Sequence, residues 1–273
     1  MPGETGPTGG PAFTDVLGVC RSWQDGVAVI EPASGEPVAI PIPLIVSGKP
    51  VPPRPSVRAR VSARDAELHT AALFPQIEAS TLGEWLIRWE PHPEGRLRKR
   101  ANSCLAMGDP GLAVAEALDR VAAFYAGRGR TPLVQVQQGS GLEQALESAG
   151  WRPVPGDAAF LIAPVAQLRR RLPAADLPVI VTGSQGLVDI DVAVGRSGID
   201  GDWVGIHDLA VDPEHRRQGL ARRVVAALLE VAAEQGATTA WLHVETGNQP
   251  ALALYESLGF VEHHRCRYYA AGD

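Results

Sequence analysis

The sequence lacks several features that define common protein classes. No apolar run in its 273 residues approaches the roughly 20 residues that a membrane-spanning helix needs. Its three cysteines (Cys20, Cys104 and Cys266) are odd in number and widely separated, which argues against a disulfide framework and for a reducing compartment. Residues 1–12 have neither the basic start nor the apolar core of a signal peptide. We therefore expect a cytoplasmic protein with a disordered leader at residues 1–12.

Lysine and the common nucleotide-binding glycine motifs are also scarce. Lys49 and Lys99 are the only lysines, and the formal net charge is −6. This charge argues against nucleic-acid binding, although residues 96–100 and 169–171 form local basic clusters. Neither a Walker loop nor the triple-glycine Rossmann fingerprint occurs. Any phosphate site must therefore be of another kind.

The most informative stretch runs from residue 203 to residue 260. Alternation and β-branched residues predict a strand from Trp203 to Val211, which ends at Pro213 because proline cannot donate to a ladder. A helix follows, closed by Gly236. Its apolar residues recur at helical spacing: Leu220, Val224, Val225, Leu228 and Val231.

The turn between this strand and helix, residues 216–221 (RRQGLA), has the features of an anion site. Gly219 lets the backbone approach a ligand closely, and Ala221 keeps the first helical turn uncluttered. The free N–H groups and the positive helix end then suit a pyrophosphate. The alternative interpretation is an ordinary strand-to-helix turn with two solvated arginines.

A second strand, from Thr238 to Val244, precedes a second helix. Asn248 suits the N-cap, Pro250 the first turn and Gly259 the C-terminal exit. At these residues the sequence resembles the Gcn5-related N-acetyltransferase (GNAT) superfamily. The motifs that carry the resemblance are RRQGLA and NQPALALYESLGF, which stand at the family's separation within residues 203–260.

This resemblance implies an enzyme that transfers the acetyl group of acetyl-CoA directly to a primary amine of a small molecule, a lysine or a protein N-terminus. Tyr255 matches the family's acid, which protonates the departing thiolate; its alternative role is a core aromatic. The resemblance implies that the coenzyme is bound by the following residues: Leu209, Ala210, Val211, Arg216, Arg217, Gln218, Gly219, Leu220, Ala221, Arg222, Asn248 and Tyr255.

The general base stays open at this level. Asp208, His207 and Glu245 stand at the strand ends that flank the expected thioester, and each also has a structural interpretation. Residues 263–266 (HHRC) contain metal-ligand types, but no further ligand lies at a suitable spacing. We therefore expect no metal and interpret this stretch as a solvated or cleft-edge strand.

Upstream, residues 13–65 predict a small SH3-like β module. Strand-like runs at residues 16–21, 27–31 and 37–42 are separated by turns at residues 24–26 and 33–35. The proline-rich residues 49–55 form a stiff exit. A packing or dimerisation role is the expectation, so a homodimer is one predicted assembly.

Residues 66–164 repeat the element order of residues 165–273 but lack the Arg-Arg-x-Gly loop, and Ala145 or Leu146 stands where Tyr255 would be. The predicted fold is α+β or mixed: an SH3-like β-barrel, then a degenerate and a catalytic GNAT-like α/β half sharing a mixed central sheet. The whole chain resembles an actinobacterial group with this plan. Residues 165–202 are too few for the elements that usually form the family's acceptor wall.

Two non-enzymatic alternatives remain. One is a non-catalytic acetyl-CoA sensor or adaptor, against which the presence of Gly219, Asn248 and Tyr255 argues. The other, a nucleic-acid regulator, rests only on the basic clusters. The sequence does not identify the amine acceptor.

Overall fold

The computed structural model describes residues 16–32, 35–47, 60–93 and 97–272. They belong to two compact units, residues 1–54 and 55–273. The predicted leader, residues 33–34 of the second turn and the proline-rich exit at residues 49–55 lie outside the described residues. The sequence predicted that the N-terminal β module ends at residue 65. In the structure the helix Ala63–Leu68 belongs to the second unit, where Ala66 joins a hydrophobic cluster.

The smaller unit contains three antiparallel strands: β1 (Val19–Gln24), β2 (Val27–Glu31) and β3 (Val38–Pro41). The first hairpin turns at Asp25 and Gly26, both with positive φ, as a two-residue hairpin requires. The expected SH3-like barrel is not seen among the described residues. Three short strands are too few to close a sheet on itself.

The larger unit is built on an eleven-stranded sheet. Its strands are β4 (Glu78–Leu82), β5 (Trp85–Trp89), β6 (Cys104–Leu105), β7 (Leu133–Gln137), β8 (Arg152–Pro164), β9 (Ile180–Thr182), β10 (Gln185–Ile190), β11 (Ala193–Asp200), β12 (Trp203–Val211), β13 (Thr239–Glu245) and β14 (Val261–Ala270). Its helices are α1 (Ala63–Leu68), α2 (Val114–Ala126), α3 (Leu142–Ser148), α4 (Val165–Arg171), α5 (Leu220–Glu234) and α6 (Gln249–Leu258). No helix among the described residues is both long and apolar enough to span a membrane.

The sheet is mixed, in the order β4-β5-β6-β7-β14-β8-β13-β12-β11-β10-β9. Two neighbouring pairs are parallel, β6 with β7 and β12 with β13, and the other pairs are antiparallel. Each parallel pair is joined by a helix, α2 or α5, because parallel neighbours need a crossover connection. The predicted mixed α/β architecture around a central sheet is therefore confirmed.

The two halves, residues 66–164 and 165–273, exchange their last strands. β8 ends the first half but pairs with β13 of the second, from Thr239 opposite Pro164 to Glu245 opposite Ala158. β14 ends the second half but pairs with β7 of the first as well as with β8. The halves therefore interdigitate within one sheet.

Different elements cover the two faces of the sheet around β12 and β13. Helix α5 packs on the side of Val204, Ile206 and Leu242. The alternate residues face the other way, where Trp203, Trp241 and Phe160 pack against Leu73 and Phe74. Helix α1 and the 3₁₀ turn His69–Leu73, both at the start of the larger unit, cover this second face.

Gly205 marks a tight contact on this second face and supplies a stability test. A Cβ there would lie 2.5 Å from Cζ2 of Trp241 and 2.6 Å from Cδ2 of Leu73. We expect Gly205→Ala to lower the free energy of unfolding by about 1–3 kcal/mol, measured by urea denaturation, because overpacking strains a filled core. Gly141→Ala is the matched control, since a Cβ there meets nothing within 4 Å and φ is −61°. Equal stability of the two variants would contradict this packing.

Candidate active site

The candidate site forms where β12 and β13 part. Their parallel pairing runs from Trp203 opposite Thr239 to Ile206 opposite Leu242 and stops there, although both strands continue. Beyond that point β12 pairs only with β11, and β13 pairs only with β8. A gap therefore opens between the carboxyl ends of two adjacent parallel strands.

A β-bulge lies in β12 at this gap. Arg196 on β11 is opposite His207, and Val194 is opposite Ala210, so Asp208 and Leu209 together oppose one residue. Asp208 has φ 50°, in the left-handed region that costs a non-glycine residue on the order of 1–3 kcal/mol. Bulges of this kind are common beside active sites, where they redirect side chains.

The predicted anion loop follows β12 and ends at an uncapped helix. Arg217 has φ 63° and Gly219 φ 80°, so the backbone turns twice through left-handed conformations before α5 begins at Leu220. No side chain caps this helix, and its first main-chain bond runs from the Arg223 amide to the Gly219 carbonyl. The N–H groups of the preceding residues in the first turn are thus free for an anion.

The arginines around this loop differ in their partners. Nε of Arg216 donates to the Val211 carbonyl at 3.1 Å, and Nη2 of Arg222 donates to Oγ of Ser257 at 2.7 Å. Arg223 forms a bidentate pair with Asp176. Arg216 thus braces the loop, and Arg222 joins α5 to α6.

Helix α6 has the ends that the sequence predicted. Oδ1 of Asn248 accepts from the Ala251 amide at 3.2 Å, Pro250 lies in the first turn, and Gly259 has φ 99° at the C-cap. Tyr255 is 7% exposed, and its ring contacts Phe260 edge-on at 5.5 Å between centroids. Burial raises the pKa of Tyr255 to about 12, so its phenol stays protonated at neutral pH.

Of the three sequence-derived candidates for the base, two lie in contact. Oδ2 of Asp208 accepts from Nη2 of Arg98 at 2.6 Å and lies 3.4 Å from Nδ1 of His207. The His207 imidazole, and then Arg98 and Arg196, lower the pKa of the Asp208 carboxyl. Burial lowers the pKa of His207, neither of whose nitrogens has a hydrogen-bond partner among the described residues. At neutral pH Asp208 is therefore an ion-paired carboxylate and His207 is uncharged.

The third candidate, Glu245, is exposed at the end of β13, opposite Ala158. Its main-chain carbonyl accepts from the Asn248 amide at 2.8 Å, which joins β13 to the cap of α6. The structure thus places Asp208 and His207 on one side of the gap and Glu245 on the other strand.

The first half contributes side chains to the β12 side of the gap. The ring of Phe74 contacts His207 edge-on at 5.6 Å between centroids, and the Arg98 guanidinium lies 5.5 Å from the centre of the Phe74 ring. Arg98 also holds Asp208, as described above. These contacts place two side chains of the first half beside His207 and Asp208.

A buried polar cluster lies on the same face of the sheet, centred on Glu67 of α1. Oε1 of Glu67 lies 2.6 Å from Nε2 of His243, 3.2 Å from Nε2 of His264 and 3.1 Å from Sγ of Cys266. Thr70 donates to Oε2 at 3.3 Å. Burial opposes the ionisation of Glu67, but His243 and His264 outweigh it and hold its pKa well below the ordinary value.

This cluster corrects the interpretation of residues 263–266 as a solvated or cleft-edge strand. The side chains of His264 and Cys266 are 2% and 0% exposed, because they lie on the face of β14 that contacts Glu67 of α1. Glu67, His264 and Cys266 bring three potential metal-ligating atoms within 4.8 Å of one another. Their contacts converge on one carboxylate oxygen, which is the pattern of donors around a hydrogen-bond acceptor.

Sequence reasoning missed Glu67, His243, Arg98 and Phe74. His243 alone left a local signal, as a polar residue that interrupts the apolar strand WLHVE.

Two surface cavities, of about 390 and 630 Å³, lie away from the predicted site. The first is beside Arg169 and Glu230, and the second is beside Asp119 and Trp151. Neither is lined by a residue of the predicted site.

Two parallel strands that part beside an uncapped helix, within a large mixed sheet, form the GNAT-like fold that the motifs implied. Residues 155–269 match the family described as "Probable histone acetyltransferase Rv0428c C-terminal". The GCN5-related N-acetyltransferase from Kribbella flavida superposes with a TM-score of 0.60, over 78% of this chain and 96% of that chain, at 18% identity. At that identity the likeness shows the fold.

Sequence relatives match over shorter stretches. The ribosomal protein bS18-alanine N-acetyltransferase of Escherichia coli (strain K12) is 42% identical over 73 residues, which are 26% of this chain and 49% of that protein. The mycothiol acetyltransferase of Kocuria rhizophila is 41% identical over 59 residues, 22% of this chain and 20% of that protein. The chain thus spans at most about half the length of these relatives. These matches make part of this chain similar to acetyltransferases of the GNAT superfamily.

The tyrosines supply a pH test of the packing around the site. Burial raises the pKa of Tyr255 and Tyr269 to about 12 and also raises that of Tyr125 and Tyr268. Unfolded tyrosine ionises near pH 10, so the folded chain retains protons that the unfolded chain has lost. Stability present below pH ~10 should therefore fall as the pH rises from 10 to 12. Phenolate absorbance in native and urea-unfolded protein checks this; native titration of all four tyrosines near pH 10 would contradict it.

Proposed function

We propose that this protein transfers the acetyl group of acetyl-CoA directly to a primary amine. The observation that carries the proposal is the parting of β12 and β13 beside the uncapped start of α5. The pantetheine arm would lie along residues 209–211 in the gap. The pyrophosphate would meet the N–H groups of residues 217–221.

The loop fits a pyrophosphate in three respects. Gly219 has φ 80°, and a Cβ there would meet nothing within 4 Å, so the backbone is open to a ligand. The first-turn N–H groups lack a side-chain cap, and the positive end of the α5 dipole lies behind them. Arg216, Arg217 and Arg222 add positive charge around the loop.

Amide formation from a thioester needs an uncharged amine, a polarised carbonyl and a proton for the departing thiolate. We assign the last role to Tyr255. Its phenol lies on α6, behind the Asn248 cap that follows β13, and burial raises its pKa to about 12. A group that stays protonated across the working pH range can serve as the acid.

The acceptor is proposed only as a class, a primary amine. The first half flanks the gap with Phe74 and with Arg98, which contacts both the Phe74 ring and the Asp208 carboxylate of the second half. This supports an acceptor cleft built from both halves. The bacterial relative that acetylates a ribosomal protein alanine makes a peptide with an N-terminal alanine the first probe. Lysine peptides and small amines complete the screen, read as thiol release. Binding of acetyl-CoA without transfer to any of them would favour the sensor alternative.

The first functional prediction concerns the loop. Isothermal calorimetry should find one acetyl-CoA per chain, and Gly219→Glu should abolish this binding because it places a carboxylate against the pyrophosphate. Gly236→Glu is the matched control: it lies just beyond the other end of α5, also has positive φ, and a Cβ there also meets nothing within 4 Å. Unchanged affinity in a folded Gly219→Glu protein would exclude this loop as the pyrophosphate site.

The second functional prediction concerns Tyr255. Tyr255→Phe keeps the buried ring and removes one hydroxyl, so stability and coenzyme affinity should change little. General acid catalysis typically contributes ~10²- to 10⁴-fold, so kcat should fall by about 10²-fold, or by about tenfold if water replaces the phenol. Tyr125→Phe, at a buried tyrosine of α2, is the control and should retain kcat. A Tyr255→Phe enzyme with unchanged kcat and rate-limiting chemistry would leave Tyr255 as a packing residue.

A further inference from the structure

The contact between Glu67 and His243 fixes where the His243 proton lies. An ionised carboxylate only accepts, so Nε2 of His243 carries the proton in this 2.6 Å contact. Nδ1 is then the unprotonated nitrogen, and it is buried without a hydrogen-bond partner among the described residues. A neutral imidazole with a carboxylate behind it and its other lone pair free is the arrangement of a general base.

His243 also lies at the right place in the sheet. It directly follows Leu242, the last residue of β13 that pairs with β12. His207 follows Ile206 in the same way on β12. Because side chains alternate along a strand, both histidines face the side covered by the first half, away from α5. His243 thus stands at the point where the strands begin to part.

The other candidates lack this arrangement. Asp208 is already paired with Arg98, and Glu245 has no imidazole at hydrogen-bond distance among the described residues. His207 lies 3.4 Å from Asp208, a longer contact than the 2.6 Å between His243 and Glu67, and Arg98 already holds that carboxylate. Of these four groups, His243 has both a free ring nitrogen and a carboxylate held behind the ring.

The carboxylate is itself held firmly. Thr70 from the 3₁₀ turn and His264 and Cys266 from β14 donate to Glu67, whose side chain is fully buried. A carboxylate with several donors has one stable orientation, so the ring that it binds is fixed as well.

We propose that His243 is the general base of acetyl transfer and that Glu67 is its positioning residue; this inference rests on the proposed function. The neutral amine forms the N–C bond as the C–S bond breaks. The amine proton passes to Nδ1 of His243, through a water where the amine does not touch the ring, and the thiolate takes the Tyr255 proton. Return of the His243 proton to the Tyr255 phenolate through water restores both groups, so one amine and one thioester give one amide and one thiol.

The charges around His243 agree with this role. Burial lowers the pKa of His243 to about 4, against the attraction of Glu67, while Arg100 and His264 act in the same direction as burial. The ring is therefore uncharged at pH 6–8, which is the form that accepts a proton. When it does, Glu67 stabilises the imidazolium, as the carboxylate of a catalytic triad does.

Kinetics of His243→Gln and Glu67→Gln test the proposal against wild type. In His243→Gln the side-chain amide that replaces the ring can still donate to Glu67, so the variant loses the base while it keeps the buried contact. We expect kcat at pH 7 to fall by about 10²-fold with unchanged acetyl-CoA affinity, and the deficit to shrink toward high pH, where hydroxide replaces the base. Glu67→Gln should lower kcat by about tenfold with little change in KM.

The control is His69→Gln. Nδ1 of His69 lies 2.8 Å from Oδ2 of Asp200, a similar imidazole–carboxylate pair, and its ring stacks on Trp203 at the other end of β12. The kcat of the His69→Gln variant should equal that of wild type. An equal loss of kcat in His69→Gln and His243→Gln would show a structural effect and overturn the proposal.

Imidazole ¹⁵N spectra give a readout that does not depend on activity. His243 should show the neutral Nε2–H tautomer at pH 7 in wild type and lose it in Glu67→Gln.

The inference would be overturned, with the proposed function intact, if wild type is active and His243→Gln keeps its kcat at every pH while chemistry is rate-limiting. Stoichiometric metal bound to Glu67, His264 and Cys266 in the purified protein would also overturn this inference. A wild type that transfers acetyl to no amine would overturn both proposals.

Discussion

The exchange of β8 and β14 between the halves is the constraint on which the site depends. β13 can leave β12 after Leu242 because β8 pairs with it all the way to Glu245. β12 likewise keeps β11 as a partner to Val211, with a bulge that absorbs its change of direction. Each strand at the gap therefore keeps a ladder on one edge, and only the edges that face the gap are open to a ligand.

This arrangement gives the first half a structural role, although it lacks a loop like that of residues 216–221. It has neither the Arg-Arg-x-Gly turn nor a counterpart of Tyr255, yet its strand β8 flanks β13 and its Arg98 holds Asp208. Residues 61–74, which lead into this half, cover the face of the sheet that α5 leaves free. The first half is thus required structurally, because the gap between β12 and β13 is built against it.

Glu67 shows how tightly the halves are joined. A fully buried carboxylate costs several kcal/mol of desolvation unless donors surround it. Here three donors come from β13 and β14 of the other half, and Thr70 adds a fourth. Helix α1 is only six residues long and would not be stable alone. Its position is set by this carboxylate and by the packing of Leu73 and Phe74 that follow it. The same contact that fixes α1 also orients His243, so fold and proposed chemistry share one interaction.

The sequence predicted those parts whose causes are local. The loop glycine, the Asn248 cap, Pro250 and Gly259 each act over a few residues, and all stand as expected. The contact of Glu67 with His243 spans 176 positions and depends on which strands become neighbours, which a single sequence does not show.

The same reason explains the wrong prediction at residues 263–266. Their alternation is plain, with His264 and Cys266 on one face and Arg265 on the other, but alternation fits an edge strand and an internal strand equally. The burial of His264 and Cys266 depends on α1, which comes from a distant part of the chain and places Glu67 against this face of β14.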